Sequence, residues 1–363
     1  MSSVRLHNVW KYYGKTVAVK ELNITCPEGE FLSILGPSGC GKSSTLRMLA
    51  GLEHISSGDI LFGDRRVNEL PPKDRDIAMV FENYALYPHK SVFENMANPL
   101  RLRGFSGADI AQKVKRAAQM LEIEHLLERK PQELSGGQKQ RTAIGRAIVR
   151  EPKLFLFDEP IAHLDAKLRT RMRGELKLMQ RRLATTMIYV THDQLEAMSM
   201  ADRIAVMHNG VLQQLGTPQE IYNHPVNEWV AGFVGEPPMN FLDCELVEEN
   251  GGFVLTHPSF RQSVPDEQAM LLRNTLRDPA VRLGIRPDQI RIDVNSGTRT
   301  VEAEIAIVEP LGGDTLVDVD VAGSRMLVKT DPNFEGSMGG HCHLTFDTAR
   351  WHLFARDNGV AYY

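Results

Sequence analysis

The sequence predicts two domains of different class: an α/β domain with a largely parallel sheet over residues 1–235, and a small all-β barrel over residues 236–363. In the first part, short and wholly apolar runs alternate with helix-length amphipathic stretches, as buried parallel strands alternate with the helices that connect them. In the second part apolar residues recur at every second position, the period of half-buried antiparallel strands. Between the two, Gly235, Pro237 and Pro238 fall in one short segment and break either pattern. A length of 363 residues suits two domains of roughly 150 residues each. With 42% apolar and 24% charged residues the chain can bury a core, which excludes the disordered and fibrous classes.

Residues 31–35 read as a strand stopped by Gly36 and Pro37, and residues 45–52 as a helix with Leu46, Leu49 and Ala50 on one face. Residues 77–81 are another strand-sized apolar run, and residues 111–127 a longer helical stretch. Ser135, with Gln138 three positions on, forms a capping box that opens a helix over residues 139–149. Residues 153–157, 187–190 and 203–207 read as further buried strands. In the second part Val301, Ala303, Ile305 and Ile307 alternate with other residues, and Gly312 and Gly313 turn the chain. Val317, Val319 and Val321 follow, then Cys342, Leu344 and Phe346; short antiparallel strands with glycine turns predict a barrel.

No apolar run approaches the roughly 18 residues needed to cross a bilayer, and the segment from Met1 to His7 lacks the apolar core of a secretory leader. Four cysteines in so long a chain do not make a disulfide framework and point to a reducing compartment. A cytosolic protein with at most a peripheral membrane role is expected. The net charge of −4 is uneven: acidic residues outnumber basic ones beyond Glu236, where Lys329 is the sole lysine, while the preceding part is net basic. That balance suits a small polyanionic ligand in the first part and argues against nucleic acid as a partner.

Gly36, Pro37, Ser38, Gly39, Cys40, Gly41, Lys42 and Ser43 fit G-x-x-x-x-G-K-[ST] between a predicted strand and a predicted helix. In such a loop backbone N–H groups converge on phosphate oxygens, Lys42 neutralises the β- and γ-phosphates, and the Ser43 hydroxyl reaches Mg²⁺. Asp158 and Glu159 end an apolar strand, where an acid can hold the metal and its neighbour can deprotonate a water. Cys40, close to Lys42 and a helix N-terminus, is expected to carry a depressed thiol pKa and to react readily. Ser135, Gly136, Gly137 and Gln138 open a helix and form a second candidate anion site.

With Asp165 and His192 added, the set over residues 4–235 resembles an ATP-binding-cassette (ABC) ATPase. The resemblance implies ATP and Mg²⁺ as cofactors, with Ser43, Asp158 and Glu82 toward the metal and Ser44 beside the phosphates. It implies that Glu159 is the base and His192 a switch that contacts the γ-phosphate. Tyr13 would stack on adenine, with Tyr12 as its rival. In the family Ser135–Gln138 and the Asp165 loop of one subunit close on ATP held by another, so a second ATPase subunit is implied, identical or a paralogue.

Residues 83–89, 229–235, 239–242, 283–287, 308–313 and 351–354 resemble importer ATPases of the maltose and glycerol-phosphate type, whose C-terminal part is an OB-like barrel of the TOBE kind. That likeness implies ATP-driven uptake of a carbohydrate or polyol, with polyamine, iron or sulfate as other solutes and a soluble non-transport ATPase as the remaining reading. It further implies two transmembrane permease subunits, an extracytoplasmic solute-binding protein, and a place on the cytoplasmic face of a bacterial inner membrane. Residues 83–89 would line a groove that receives a permease helix. Two positions depart from the family: Glu82 stands where Gln is usual, and His163 where Asn or a small residue is usual. They imply either a site specialised for pairing with a paralogous subunit or harmless variation in a homodimer.

Overall fold

The computed structural model describes residues 3–293 and 300–362; Met1 and Ser2, with which the leader reading begins, lie outside the described residues. The contacts divide the chain into two compact units, Met1–Gln219 and Glu220–Tyr363.

In the first unit the strands are β1 (Val4–Tyr13), β2 (Thr16–Cys26), β3 (Phe31–Leu35), β4 (Ser57–Phe62), β5 (Arg65–Arg66), β6 (Ile77–Val80), β7 (Leu154–Asp158), β8 (Thr186–Thr191), β9 (Arg203–His208) and β10 (Val211–Gly216). The helices are α1 (Lys42–Ala50), α2 (Val92–Arg101), α3 (Gly107–Met120), α4 (Gly136–Ile148), α5 (Ala166–Leu183) and α6 (Gln194–Met200). A six-stranded sheet runs in the order β10-β9-β3-β8-β7-β6, parallel except for the β9–β10 pair. Every residue of β3 and β8 is buried, because helices cover both faces of such a sheet, and this is why both read as continuous apolar runs. A separate antiparallel sheet, β2-β1-β4-β5, is not expected from the sequence. Its strands are half-exposed and interrupted by register shifts, which blur the period of two.

The expected helix over residues 139–149 begins earlier, at Gly136, since the capping box at Ser135 takes the glycines into the first turn. The long stretch over residues 111–127 is α3 followed by a separate 3₁₀ turn, Glu124–Leu126; Glu122, with φ 56°, breaks the helix. Register, more than any single element, builds the site. Leu35 lies beside Thr191, Val190 beside Asp158, and Phe157 beside Val80. The carboxyl ends of β3, β8, β7 and β6 therefore form one edge, where open α/β sheets bind their ligands.

In the second unit α7 (Pro218–Asn223), which straddles the division, and α8 (Glu228–Phe233) precede the strands. These are β11 (Asn240–Glu249), β12 (Gly252–His257), β13 (Phe260–Ser263), β14 (Ala280–Ile285), β15 (Ile290–Asp293), β16 (Val301–Pro310), β17 (Thr315–Val321), β18 (Ser324–Thr330), β19 (His341–Phe346) and β20 (His352–Ala355). They form two five-stranded antiparallel sheets, β13-β12-β11-β14-β20 and β15-β19-β16-β17-β18. Leu283, Leu255, Val319, Leu344 and Trp351 meet in one core between them. Buried Asn240 joins the sheets by donating to Leu327 O (2.8 Å) and accepting from Leu327 N–H (2.7 Å). Helix α8 is anchored here: Ala231 packs on Met239 and Phe354, and the buried Arg286 guanidinium donates to Ala231 O and Val234 O. This anchoring puts the division between units ahead of the Gly-Pro segment at residues 233–238.

Candidate functional site

Between β3 and α1 the chain from Gly36 to Lys42 wraps into a loop. Gly36 touches Met207 O so closely that a Cβ there would lie 2.3 Å from it, and Gly41 takes φ 102° with a Cβ position 2.5 Å from Ala18 O. Only glycine fits these two positions. The Lys42 ammonium is buried in the mouth of the loop and donates to Gly36 O (2.8 Å) and Pro37 O (2.9 Å). The Ser43 hydroxyl donates to Asp158 Oδ1 (3.3 Å), which joins the start of α1 to the end of β7.

Three carboxylates gather at this edge. Burial lifts the Asp158 carboxyl above its ordinary range; the Ser43 hydrogen bond and Arg47 oppose the rise, and the charges of Glu159 and Glu82 add to it. A hydroxyl and a carboxylate side by side, under the repulsion of two more carboxylates, form the hard oxygen set that Mg²⁺ takes, and a divalent cation relieves that repulsion. The residues present therefore fit MgATP: the loop and Lys42 for its phosphates, and Ser43 and Asp158 for the metal.

Glu159 sits at φ 43°, a strained backbone for a non-glycine residue, held by a hydrogen bond from its N–H to Val190 O (3.0 Å). Its Oε2 lies 2.8 Å from His192 Nδ1, so the candidate base and the candidate switch are in direct contact. Glu82 and His163 are also partners: His163 Nε2 lies 3.2 Å from Glu82 Oε1, and both side chains are more than half exposed.

Behind these residues stands a network that sequence reasoning missed. Glu196, buried, accepts from Tyr189 OH (2.8 Å) and Thr191 Oγ1 (2.7 Å). Thr191 Oγ1 in turn accepts from Asp193 N–H (3.0 Å). Arg169 on α5 donates to Asp193 Oδ2 (3.2 Å), Ala162 O (3.0 Å) and Leu164 O (3.2 Å), so it ties the turn that carries His163 to the segment that carries His192. The spacing Asp193–Glu196 is the available signal; it reads as an N-cap pair, and Asp193 does cap α6, but Glu196 turns inward instead.

Tyr13 lies beside α1. Its hydroxyl is 3.1 Å from Ser44 Oγ and donates to Glu53, while Lys11 covers one ring face at 4.7 Å. Its rival Tyr12 is stacked on Trp10. Ser135 and Gln138 form the expected capping box in both directions: Ser135 N–H donates to Gln138 Oε1 (2.9 Å), and Gln138 N–H to Ser135 Oγ (3.4 Å). Asp165 caps α5 by accepting from Leu168 N–H (2.9 Å). The glycines Gly136 and Gly137 abut Leu164 and Leu168, so this helix start adjoins the Asp165 turn.

One expectation is corrected. Cys40 is buried, and burial raises its thiol pKa; the nearby Lys42 charge lowers it only in part. All four cysteines are free and buried.

The loop over residues 83–89 is held from behind. Arg146 donates to Ala85 O (2.6 Å) and Tyr84 O (2.9 Å), and buried Asn95 accepts from Tyr87 N–H (2.8 Å). Beside it lie two surface hollows of about 300 and 550 Å³, both bordered by Met79, Phe81, Pro99, Leu102 and Arg150.

Comparison with known proteins gives the family. Residues 19–162 match the ABC transporter family, residues 235–290 the MalK OB fold domain, and residues 283–354 the TOBE domain. The trehalose/maltose import ATP-binding protein MalK of Thermococcus litoralis is 48% identical over 99% of this chain and 100% of that protein. The sn-glycerol-3-phosphate import ATP-binding protein UgpC of Yersinia pseudotuberculosis is 46% identical over 99% of both. A solved dimeric ATP-binding cassette in a post-hydrolysis state, bound to ADP and Pi, superposes with a TM-score of 0.54 at 32% identity, covering 59% of this chain and 98% of its own. The chain belongs to the ABC transporter ATP-binding family, in the branch whose ATPase cassette is followed by a MalK-type OB fold and a TOBE domain.

Proposed function

We propose that this chain is the ATP-hydrolysing subunit of an ABC importer and energises uptake of a carbohydrate or polyol through separate permease subunits. The carrying observation is the shared edge of β3, β8, β7 and β6, which brings Lys42, Ser43, Asp158, Glu159, His192 and Glu82 together. Full-length likeness to the sugar and glycerol-phosphate import proteins supports the cargo class.

The loop from Gly36 to Ser44 holds the phosphates, with Lys42 swinging from its carbonyl partners to the negative charge. Ser43, Asp158 and Glu82 would hold Mg²⁺, which would draw negative charge from the phosphate oxygens. Glu159 takes the proton of the attacking water, and His192 fixes the Glu159 carboxylate in place. Tyr13 packs on adenine. Ser135–Gln138 and Asp165 face the nucleotide of a second ATPase subunit. Partners further from the site are two permeases, docked at the hollows beside residues 83–89, and an extracytoplasmic solute-binding protein. Among the described residues no helix is long and apolar enough to cross a membrane; likeness to the import ATP-binding proteins supports a peripheral place on its cytoplasmic face.

Glu159→Gln tests the assignment. The amide keeps shape but cannot accept a proton, so the variant should bind MgATP, lose turnover by about 100-fold or more, and accumulate as a nucleotide-bound dimer on gel filtration. Turnover at the parental rate would remove Glu159 as the base.

A further inference from the structure

Both outer carboxylates of the site carry a histidine. Glu159 has His192 at 2.8 Å, and Glu82 has His163 at 3.2 Å. The charges of both glutamates act on the Asp158 carboxyl. The His192 pair belongs to the chemistry already described, whereas the His163 pair has no part in it. A neutral imidazole with its proton on Nε2 donates to the Glu82 carboxylate, so the contact needs no charge on His163. The turn that carries His163 is fixed: Arg169 holds the carbonyls on both sides of it, Ala162 O at 3.0 Å and Leu164 O at 3.2 Å. Glu82 follows β6 and His163 lies in the turn after β7, so the hydrogen bond joins the segments that leave two neighbouring strands. Only Oε1 accepts from His163, so the bond leaves Oε2 open, but it holds the orientation of the carboxylate, and turning the carboxylate toward a metal costs the bond.

We propose that His163 is a positioning residue for Glu82, a latch whose Nε2–H holds the carboxylate on the turn after β7 and must let go before Glu82 can ligate the Mg²⁺ of MgATP. This rests on the reading of Glu82 as a metal-facing residue. The pair also answers both departures from the family within one chain: the position that brings an extra carboxylate is matched by the position that restrains it, with no second subunit needed to supply either residue. The consequence is a site that takes Mg²⁺ less readily than Glu82 alone would allow.

The test is the Mg²⁺ dependence of binding of a fluorescent ATP analogue to the full chain, in the Glu159→Gln background so that no turnover interferes. His163→Ala should lower the Mg²⁺ midpoint by about two- to fivefold, the scale of one exposed hydrogen-bonded pair. His163→Gln, which restores an N–H donor, should return it toward the parental value. Glu82→Ala, which removes both the acceptor and the ligand, should raise the midpoint, and His163→Ala added to Glu82→Ala should change nothing further. If Glu82→Ala leaves the midpoint where it was, Glu82 is no metal ligand and the proposal falls with that reading. If Glu82→Ala responds while His163→Ala does not, or if the His163→Ala shift survives undiminished in the Glu82→Ala background, the latch alone is overturned.

Discussion

Cys40 shows how opposing effects are decided at a single residue. Lys42 lies 4.0 Å from its sulfur, and α1 begins two positions on, so charge and dipole both favour the thiolate. Burial wins, because the sulfur is packed into the core of the first unit at 2% exposure and the thiolate would lose its water. Maleimide should therefore leave the native protein active and Cys40 unlabelled by mass spectrometry, with or without ATP; ATP-protected inactivation would contradict it. The residue types of the site are legible in the sequence, since Gly36–Ser43, Asp158, Glu159 and His192 stand at motif spacings. Which of them touch is not. Glu82 and His163 lie far apart in sequence and no local pattern joins them; only the adjacency of β6 and β7 brings them to 3.2 Å.

Among the elements, continuous apolar runs are legible and interrupted ones are not. β3, β7 and β8 fall within a residue of expectation because both of their faces are buried. β1 and β2, half-exposed and bulged, carry no readable period. Likeness alone puts the loop over residues 83–89 at a surface groove, and the structure adds a physical basis for its shape. Tyr84 and Ala85 adopt positive φ, and Arg146 and Asn95 secure their neighbourhood. Leu102, at the C-terminus of α2, borders both hollows and is 82% exposed, an apolar side chain with no fold-stabilising burial to lose. Leu102→Glu should leave ATP hydrolysis by the isolated chain within about twofold and weaken its capture by membranes bearing its permeases by about tenfold or more, the scale of a buried interface anchor. Loss of both to the same extent would point to unfolding instead.

For the whole molecule, the second unit adds a pH limit. His352 on β20 is buried, and burial, with Arg286 and His224 nearby, lowers its pKa from 6.5 to about 4. The folded chain thus holds it neutral while the unfolded chain takes a proton near pH 6.5. Stability is complete above that pH and falls as pH drops toward 4, by roughly 3 kcal/mol if the full shift is expressed. His352→Phe, which keeps an aromatic ring beside Phe354, should flatten the decline of Tm between pH 6.5 and 4. A Tm that falls equally in both proteins would assign the acid sensitivity elsewhere.

Local sequence is enough for the class of each half, the phosphate loop and the candidate groups of the site, because these follow from periodicity, from glycine and proline, and from motif spacing within a few residues. The alternation over β16, β17 and β19 likewise announces an all-β second part. What those groups do to one another is set by the packed molecule. Burial silences Cys40, and strand order sets Glu159 against His192 and Glu82 against His163. Packing also moves the division between units ahead of the Gly-Pro segment, since α8 finds its apolar partners in Met239 and Phe354. The physical reason is that desolvation and contact depend on which segments pack together: strands neighbouring in the parallel sheet are distant in sequence, and Phe354 reaches α8 from more than a hundred residues away, so no short window along the chain contains these partners.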